Sequence, residues 1–440
     1  MDQVVQTKFK SQNSIYSKMK LTIICSLKYA TEFQIVPNKN KICFAEQYEL
    51  GFSKCLNLKV FNLELNKNKI EYLGASHLAN QLAKISNLKT FKLDLSSNQI
   101  GSLGAANLGT GLANLKALEV LSLSLELDHL YDKSVSELCK GLKNSQNLNS
   151  LSLYLENNKI GNQGAHEIGN YLGSMKSLKT LIIDLKRNKV SQQGGFDLCS
   201  GLSNCQSVSE LSLEFYYNSV NEELVDGLCS RLGNCLNITS LYIGLSDNQI
   251  IAKGSSRLFV GLENCLNLKT LTIDLTTNKI GSKGLTSLGN SLKNCQNLKN
   301  LTLKLSDNKI GDKGVAILGS ALANCFNLIS LTLDLANNSI SEIGGQDFGY
   351  NLGKCKGLAF LSINLVMNKI GSLGVSGLTK RFHQIAHLKN LILYLNNNKI
   401  GSQGILELGI GIRLIVSLLT LNIDLKQQFC FYIFIIIIID

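Results

Sequence analysis

Short runs of alternating apolar and polar residues recur along this chain, each followed by apolar residues at helical spacing. In Leu331-Thr-Leu333-Asp-Leu335 the period is two, that of a strand with one buried face. In Leu318, Leu322, Cys325 and Leu328 the spacing is three or four, that of a helix with one apolar stripe. The pair of patterns repeats every 30 residues: Leu271-Thr-Ile273-Asp-Leu275-Thr-Thr-Asn278-Lys-Ile280 returns from Leu301 to Ile310 and from Leu331 to Ile340. The register holds from Phe61 to Leu425. It places twelve repeats between about Leu58 and Val416, a thirteenth strand at Leu421 to Leu425, and a degenerate unit around Phe33, Ile35 and Asn38. A strand and a helix in so few residues cannot bury their own apolar stripes, so stacked neighbours supply the core.

Two columns of this array are predicted to be scaffold. Asn68, Asn98, Asn158, Asn188, Asn218, Asn248, Asn278, Asn308, Asn338, Asn368 and Asn398 fill one, with Asp128 the exception. A buried amide at the strand exit can bond backbone groups that an irregular turn leaves unpaired. Gly74, Gly104, Gly164, Gly194, Gly254, Gly284, Gly314, Gly344, Gly374 and Gly404 fill the other, where glycine is expected to allow a tight turn into each helix. Two repeats depart from the pattern. One has Asp128 and Ser134 for Asn and Gly; the other has Leu224 for Gly and the aromatic run Phe215-Tyr216-Tyr217.

The pattern Leu-x-Leu-x-x-Asn-x-Ile-x-x-x-Gly-x-x-x-Leu-x-x-x-Leu, as in Leu303 to Leu322, resembles the ribonuclease inhibitor-like class of leucine-rich repeats. An additional Leu-x pair, Leu301 before Leu303, lengthens the strand beyond that class. Long Lys- and Asn-rich arrays of this kind also resemble leucine-rich repeat proteins of ciliates, some of which carry a protein kinase domain. The predicted fold is therefore α/β: a curved right-handed solenoid, or horseshoe, of about twelve thirty-residue strand–helix repeats. Strands stack at about 4.8 Å whereas helices need ~8–10 Å, so the parallel sheet lines the concave side. The expected organisation is a degenerate N-terminal cap at residues 1–57, the repeat solenoid at 58–425, and an apolar tail at 426–440 outside it.

Composition narrows the setting. Pro occurs once, at Pro37, so Pro-rich linkers are excluded, and 45% apolar content argues against general disorder. Thirteen Cys without a convincing signal sequence read as reduced thiols of a cytoplasmic protein. The nearest candidate signal, Leu21 to Leu27, is too short and ends at Lys28. The longest apolar run, Phe429 to Ile439, falls short of the ~18–20 residues that span a bilayer.

Catalytic chemistry is missing from the sequence. Phosphate-loop, kinase and nucleophile-elbow motifs are absent. His383 and His387 are four apart on an expected helix, but His383-Gln384-Ile385-Ala386-His387 lacks the Glu of a zinc protease. Cys55, Cys205, Cys235, Cys265, Cys295, Cys325 and Cys355 share one column with Ile85, Leu115 and Met175, which makes them small core residues rather than metal ligands. No catalytic, cofactor or metal residues are assigned, and the protein reads as a non-enzyme.

What remains is the surface of the sheet. The column Glu64, Asp94, Ser124, Tyr154, Asp184, Glu214, Gly244, Asp274, Lys304, Asp334, Asn364, Tyr394 and Asp424 forms an acidic central stripe. Lys columns such as Lys159, Lys189 and Lys279, or Lys179, Lys269 and Lys299, run along its edges and carry much of the net charge of +12. The central acids disfavour nucleic acid, and no aromatic-interleaved basic groove exists for bases to stack in. The expected function is a protein–protein interaction scaffold whose partner sits on the concave face and strand-end loops. Its hot spot is expected at Tyr154, Asp184, Glu214, Tyr216 and Tyr242, where aromatics join the acidic stripe. The ciliate resemblance implies an alternative: a regulatory region of a larger enzyme, a protein kinase.

Overall fold

A computed structural model describes residues 4–7, 32–35, 57–219, 237–253, 255, 261–292 and 294–426. Cys55, Cys235, Leu224, Gly254, Asn38 and the tail run Phe429 to Ile439 lie outside the described residues. The chain divides into two compact units, Met1–Asn218 and Ser219–Asp440.

In the first unit the strands are β1 Val4–Thr7, β2 Glu32–Ile35, β3 Val60–Glu64, β4 Thr90–Asp94, β5 Val120–Ser124, β6 Ser150–Tyr154, β7 Thr180–Asp184 and β8 Glu210–Glu214. Each pairs in parallel with the next. Helices α1 Glu71–Leu82, α2 Gly101–Ala113, α3 Asp132–Leu142, α4 Asn162–Gly173 and α5 Gln192–Leu202 connect β3 through β8. The degenerate unit seen in the sequence does supply a strand. It pairs Phe33 with Phe61, an offset of 61 − 33 = 28 residues rather than 30.

The second unit repeats the plan with β9 Ser240–Gly244, β10 Thr270–Asp274, β11 Asn300–Lys304, β12 Ser330–Asp334, β13 Phe360–Asn364, β14 Asn390–Tyr394 and β15 Thr420–Asp424, again parallel in sequence order. Its helices are α6 Gly281–Leu292, α7 Gly311–Leu322, α8 Glu342–Leu352, α9 Gly371–Thr379 and α10 Ser402–Arg413. Each unit is thus an α/β solenoid of strand–helix repeats. The added Leu-x pair lies inside the strands: Leu301 and Leu303 are both buried in β11, and pairing continues past it through Leu305 N–H to Asp334 O at 2.7 Å.

The core is the two apolar patterns meeting. Leu301, Leu303 and Leu305 from the sheet and Leu318, Leu322, Cys325 and Leu328 from the helix side are all buried. The Asn column behaves as expected of a buried amide. Asn308 Nδ2 donates to Leu305 O of its own repeat at 3.1 Å and to Leu275 O of the preceding one at 2.8 Å. Its Oδ1 accepts Ile280 N–H at 3.3 Å, so one side chain ties two repeats together. A second ladder was not expected: Asn147, Ser177, Asn297, Asn327 and Ser417 each donate to a carbonyl of the preceding repeat, Asn327 Nδ2 reaching Gln296 O at 2.7 Å.

The Gly column has a different cause from the one expected. Gly104 does not lie in the left-handed region; a Cβ there would stand 2.6 Å from Ile100 Cγ2 and 3.1 Å from Tyr72 Cα of the preceding helix. Close helix approach, not turn conformation, selects glycine at Gly104, Gly314 and Gly404, each of which would press on its own Ile and on the preceding helix. The left-handed glycines are others, Gly101, Gly281, Gly311 and Gly371, at the start of their helices.

Cys205, Cys265, Cys295, Cys325 and Cys355 are buried and not disulfide-bonded. The thiols of Cys205, Cys295 and Cys325 also aim weak S–H bonds at carbonyls of the preceding repeat, as Cys205 Sγ does to Leu172 O at 3.3 Å. His383 and His387 do not share a helix face. Helix α9 ends at Thr379, and His383 lies in the 3₁₀ turn Phe382–Gln384 with Nδ1 3.0 Å from Lys380 O. Among the described residues no cluster of His, Cys, Asp and Glu could hold a metal ion, and no helix is long and apolar enough to cross a membrane.

Candidate partner-binding surface

The strand-end column is in lateral register. Ser124, Tyr154, Asp184 and Glu214 stand side by side across β5 to β8 in the first unit. Leu153, Ile183 and Leu213, one residue earlier, turn into the core and so force the column outward. Its acids are not simply a solvated stripe. Asp94, Asp184, Asp274 and Asp334 each accept the backbone N–H two residues on through Oδ1, for Asp184 from Lys186 at 2.9 Å. This is the Asx turn, in which a short acidic side chain completes a bend. Part of the stripe therefore shapes the turn that leaves the sheet, a role that repetition alone did not reveal.

Lateral repulsion is relieved locally. In the second unit Lys304 Nζ lies 3.2 Å from Asp274 Oδ2, and Asn364 Nδ2 donates to Asp334 at 2.8 Å. In the first unit the relief comes from the turns. Lys186 Nζ lies 3.0 Å from Asp184 Oδ2 and Arg187 Nε 3.6 Å from Glu156 Oε1. Burial works against the charge on Lys186, but the hydrogen bond and charge of Asp184, with Glu214 and Glu156, outweigh it and hold its pKa above the usual value. Glu126 is pushed up, by burial first and then by Glu156, Asp184 and Asp94. Four carboxylates thus share one region of the first unit.

Arg187 is the residue that sequence reading missed. Its guanidinium carbon lies 5.6 Å from the Tyr216 ring centroid and 5.9 Å from that of Tyr217, within cation–π range. The two tyrosines sit 6.0 Å apart, and Tyr217 is 63% exposed, which leaves much of its ring open to a partner. Arg187 and Tyr217 occupy the same position of successive repeats, both at positive φ of 51° and 53°. That shared column was the available signal. Of the expected hot-spot residues, Tyr154, Asp184, Glu214 and Tyr216 belong to this surface. Tyr242 lies at the centre of β9 in the second unit, half-buried and opposite Thr272.

A family model described as leucine-rich repeat matches residues 89–109, 267–289 and 297–318. Each stretch covers one strand and runs into the helix after it: β4 into α2, β10 into α6, and β11 into α7. No curated protein matches the chain. Among solved structures, a leucine-rich repeat protein of Leptospira interrogans is similar at 20% identity over 83% of this chain and 84% of its own, with a TM-score of 0.46. The chain carries leucine-rich repeats, the kind of repeat that generally mediates protein–protein interaction.

Proposed function

We propose that this protein is a non-catalytic scaffold of the ribonuclease inhibitor-like type that binds a protein partner through the exposed sheet face and strand-end loops of its first unit. The repeat region runs over residues 58–425, with residues 1–57 as its cap and 426–440 as a tail outside it. The observation that carries the reading is the group Arg187, Tyr216 and Tyr217 set beside Asp184, Glu214 and Glu156. Aromatic and arginine side chains dominate binding hot spots, because they combine large contact area with directional polar tips. Tyr154 extends the same line, and Tyr242 offers a comparable tyrosine on the sheet of the second unit. Buried cysteines outside any disulfide support a reducing, cytoplasmic setting.

The test is affinity capture with the full chain, followed by titration of the recovered protein. Tyr216→Ala should weaken binding by more than about 1 kcal/mol, roughly fivefold in Kd. Lys140→Ala, on the helix side and 57% exposed, should leave it unchanged. Equal losses from the two variants, or a loss from Lys140→Ala alone, would place the interface elsewhere.

A further inference from the structure

One buried position in the first unit breaks the amide ladder, and its chemistry differs from that of its neighbours. In the repeat before it, Asn98 Oδ1 accepts the N–H of Asn68 at 3.1 Å and of Ile70 at 3.3 Å. Asn98 Nδ2 donates to Leu65 O at 2.8 Å and Leu95 O at 2.7 Å. In the repeat after it, Asn158 accepts from Asp128 N–H at 3.1 Å and Leu130 N–H at 3.0 Å, and donates to Leu125 O at 2.8 Å and Leu155 O at 3.0 Å. Asp128 performs only the accepting half. Its Oδ1 takes the N–H of Asn98 at 2.6 Å and of Ile100 at 3.5 Å, while its Oδ2 is buried without a hydrogen-bond partner.

The ladder says what Oδ2 faces. It occupies the place of the amide NH₂, which in the flanking rungs Asn98 and Asn158 points at the carbonyl three residues back and at the matching carbonyl of the preceding repeat. For Asp128 these are Leu125 O and Leu95 O. Each keeps one amide donor, from Asn158 and Asn98 respectively, and has a lone pair left over. A carboxylate there sets oxygen against oxygen in a site with 0% exposure, away from bulk solvent. A carboxylic acid has an O–H to donate.

We propose that Asp128 is a proton-dependent joint in the first unit: as the acid it closes the turn between β5 and α3 by donating Oδ2–H to the Leu95 or Leu125 carbonyl, and as the carboxylate it loosens that turn. The charged surroundings favour the acid. Asp94 lies at the end of β4, Glu126 and the exposed His129 lie on the same turn, and Glu156 and Lys159 lie on the following one. Lys159 is engaged elsewhere, its Nζ 3.2 Å from the Tyr131 hydroxyl and 5.2 Å from the centre of its ring. Burial pushes the Asp128 carboxyl up to about 7; the amides of Asn98, Ile100 and Gln99 pull it down, and Asp94 adds a smaller upward push. The folded value lies above the unfolded one of about 3.9, so the folded state holds this proton longer. The stabilisation is fully present below about pH 4 and is lost as pH rises through about 7, where both states are ionised. The turn carries Leu127 and Tyr131 at the surface, 47% and 49% exposed, so loosening it alters the strand-end edge near physiological pH.

The test uses Asp128→Asn in the full chain, which restores the residue of the other rungs. Urea unfolding between pH 5 and pH 8 should show the variant's advantage growing up to about pH 7 and then levelling off. Hydrogen exchange of the segment 125–131, corrected for intrinsic rates, should show an opening equilibrium in the wild type that rises by up to about tenfold per pH unit over the same window. In the variant that equilibrium should be flat. An advantage that is the same at every pH, or a segment that opens equally in both proteins, overturns the proposal.

Discussion

A single amide in the Asn column serves two repeats, and its removal is costlier than one lost hydrogen bond. Asn308 is fully buried and donates to Leu275 O, Leu305 O and Ser306 O while accepting from Ile280 N–H. Asn308→Ala removes the side chain but leaves those backbone groups in place and dry. Each buried group left unsatisfied costs about 1–3 kcal/mol, so a total loss of at least ~2 kcal/mol is expected in urea unfolding. A loss below ~0.5 kcal/mol would mean that water or a shifted backbone replaces the amide. This much of the structure was legible in the sequence, because a polar residue that returns every thirty positions beside buried leucines must have a recurrent partner. The Asx turns of Asp94, Asp184, Asp274 and Asp334 were not legible. The same column also holds Tyr154, Lys304 and Gly244, so its composition reads as surface. The pairing of Arg187 with Tyr216 and Tyr217 was hidden for another reason. It depends on the left-handed backbone at Arg187 and Tyr217, a property of the turn rather than of any residue preference.

At the scale of elements, the helices approach one another closely enough to exclude a methyl group, and this determines where glycine stands. A Cβ on Gly109 of α2 would lie 2.5 Å from Leu138 O and 2.9 Å from Leu138 Cα of α3. Both neighbours are helical backbone and cannot rotate away. The equivalent residue of the last described helix, Gly409 in α10, would meet nothing within 4 Å. The same substitution should therefore have opposite signs at equivalent positions. Gly409→Ala should stabilise by about 0.5–1 kcal/mol through helix propensity alone. Gly109→Ala should destabilise by about 1–3 kcal/mol, because the gain in propensity is smaller than the cost of overpacking. Thermal or urea unfolding of the two variants checks both, and equal shifts would refute the packing account. The periodicity predicted which residues form strands and helices, and the thirty-residue offset predicted lateral register. It could not separate a glycine needed for turn conformation, such as Gly311, from one needed for helix contact, such as Gly314, three residues on. β1 was missed because Val4–Thr7 lies outside the repeating register.

For the molecule as a whole, the cysteines link packing to solution behaviour. The seven described ones, Cys139, Cys199, Cys205, Cys265, Cys295, Cys325 and Cys355, are all buried and outside any disulfide. Burial, with smaller contributions from neighbouring acids and thiols, pushes Cys139, Cys295 and Cys355 up to about 12, and burial alone pushes Cys325 up to about 11. An unfolded thiol ionises near 8.5, so the folded state holds these protons over a pH range in which the unfolded chain releases them. Two consequences follow from that sign. At pH 7.5 these thiols should resist a thiol reagent in the native protein, and all thirteen in the sequence should react once urea is added. Native reaction of the column cysteines would contradict their packing. Above about pH 8.5 the stability contributed by each thiol falls by up to about 1.4 kcal/mol per pH unit until its folded pKa is reached. Lysines also titrate in that range, so the slope of the wild type alone does not isolate the thiols. The double variant Cys295→Ala, Cys325→Ala does isolate them. Its cavities lower stability by a fixed amount at every pH, whereas removing two titrating groups flattens the alkaline slope by up to about 3 kcal/mol per pH unit between pH 9 and pH 10. Unfolding midpoints of the two proteins should therefore converge as pH rises. Parallel curves would show that the buried thiols do not carry the alkaline sensitivity of the fold.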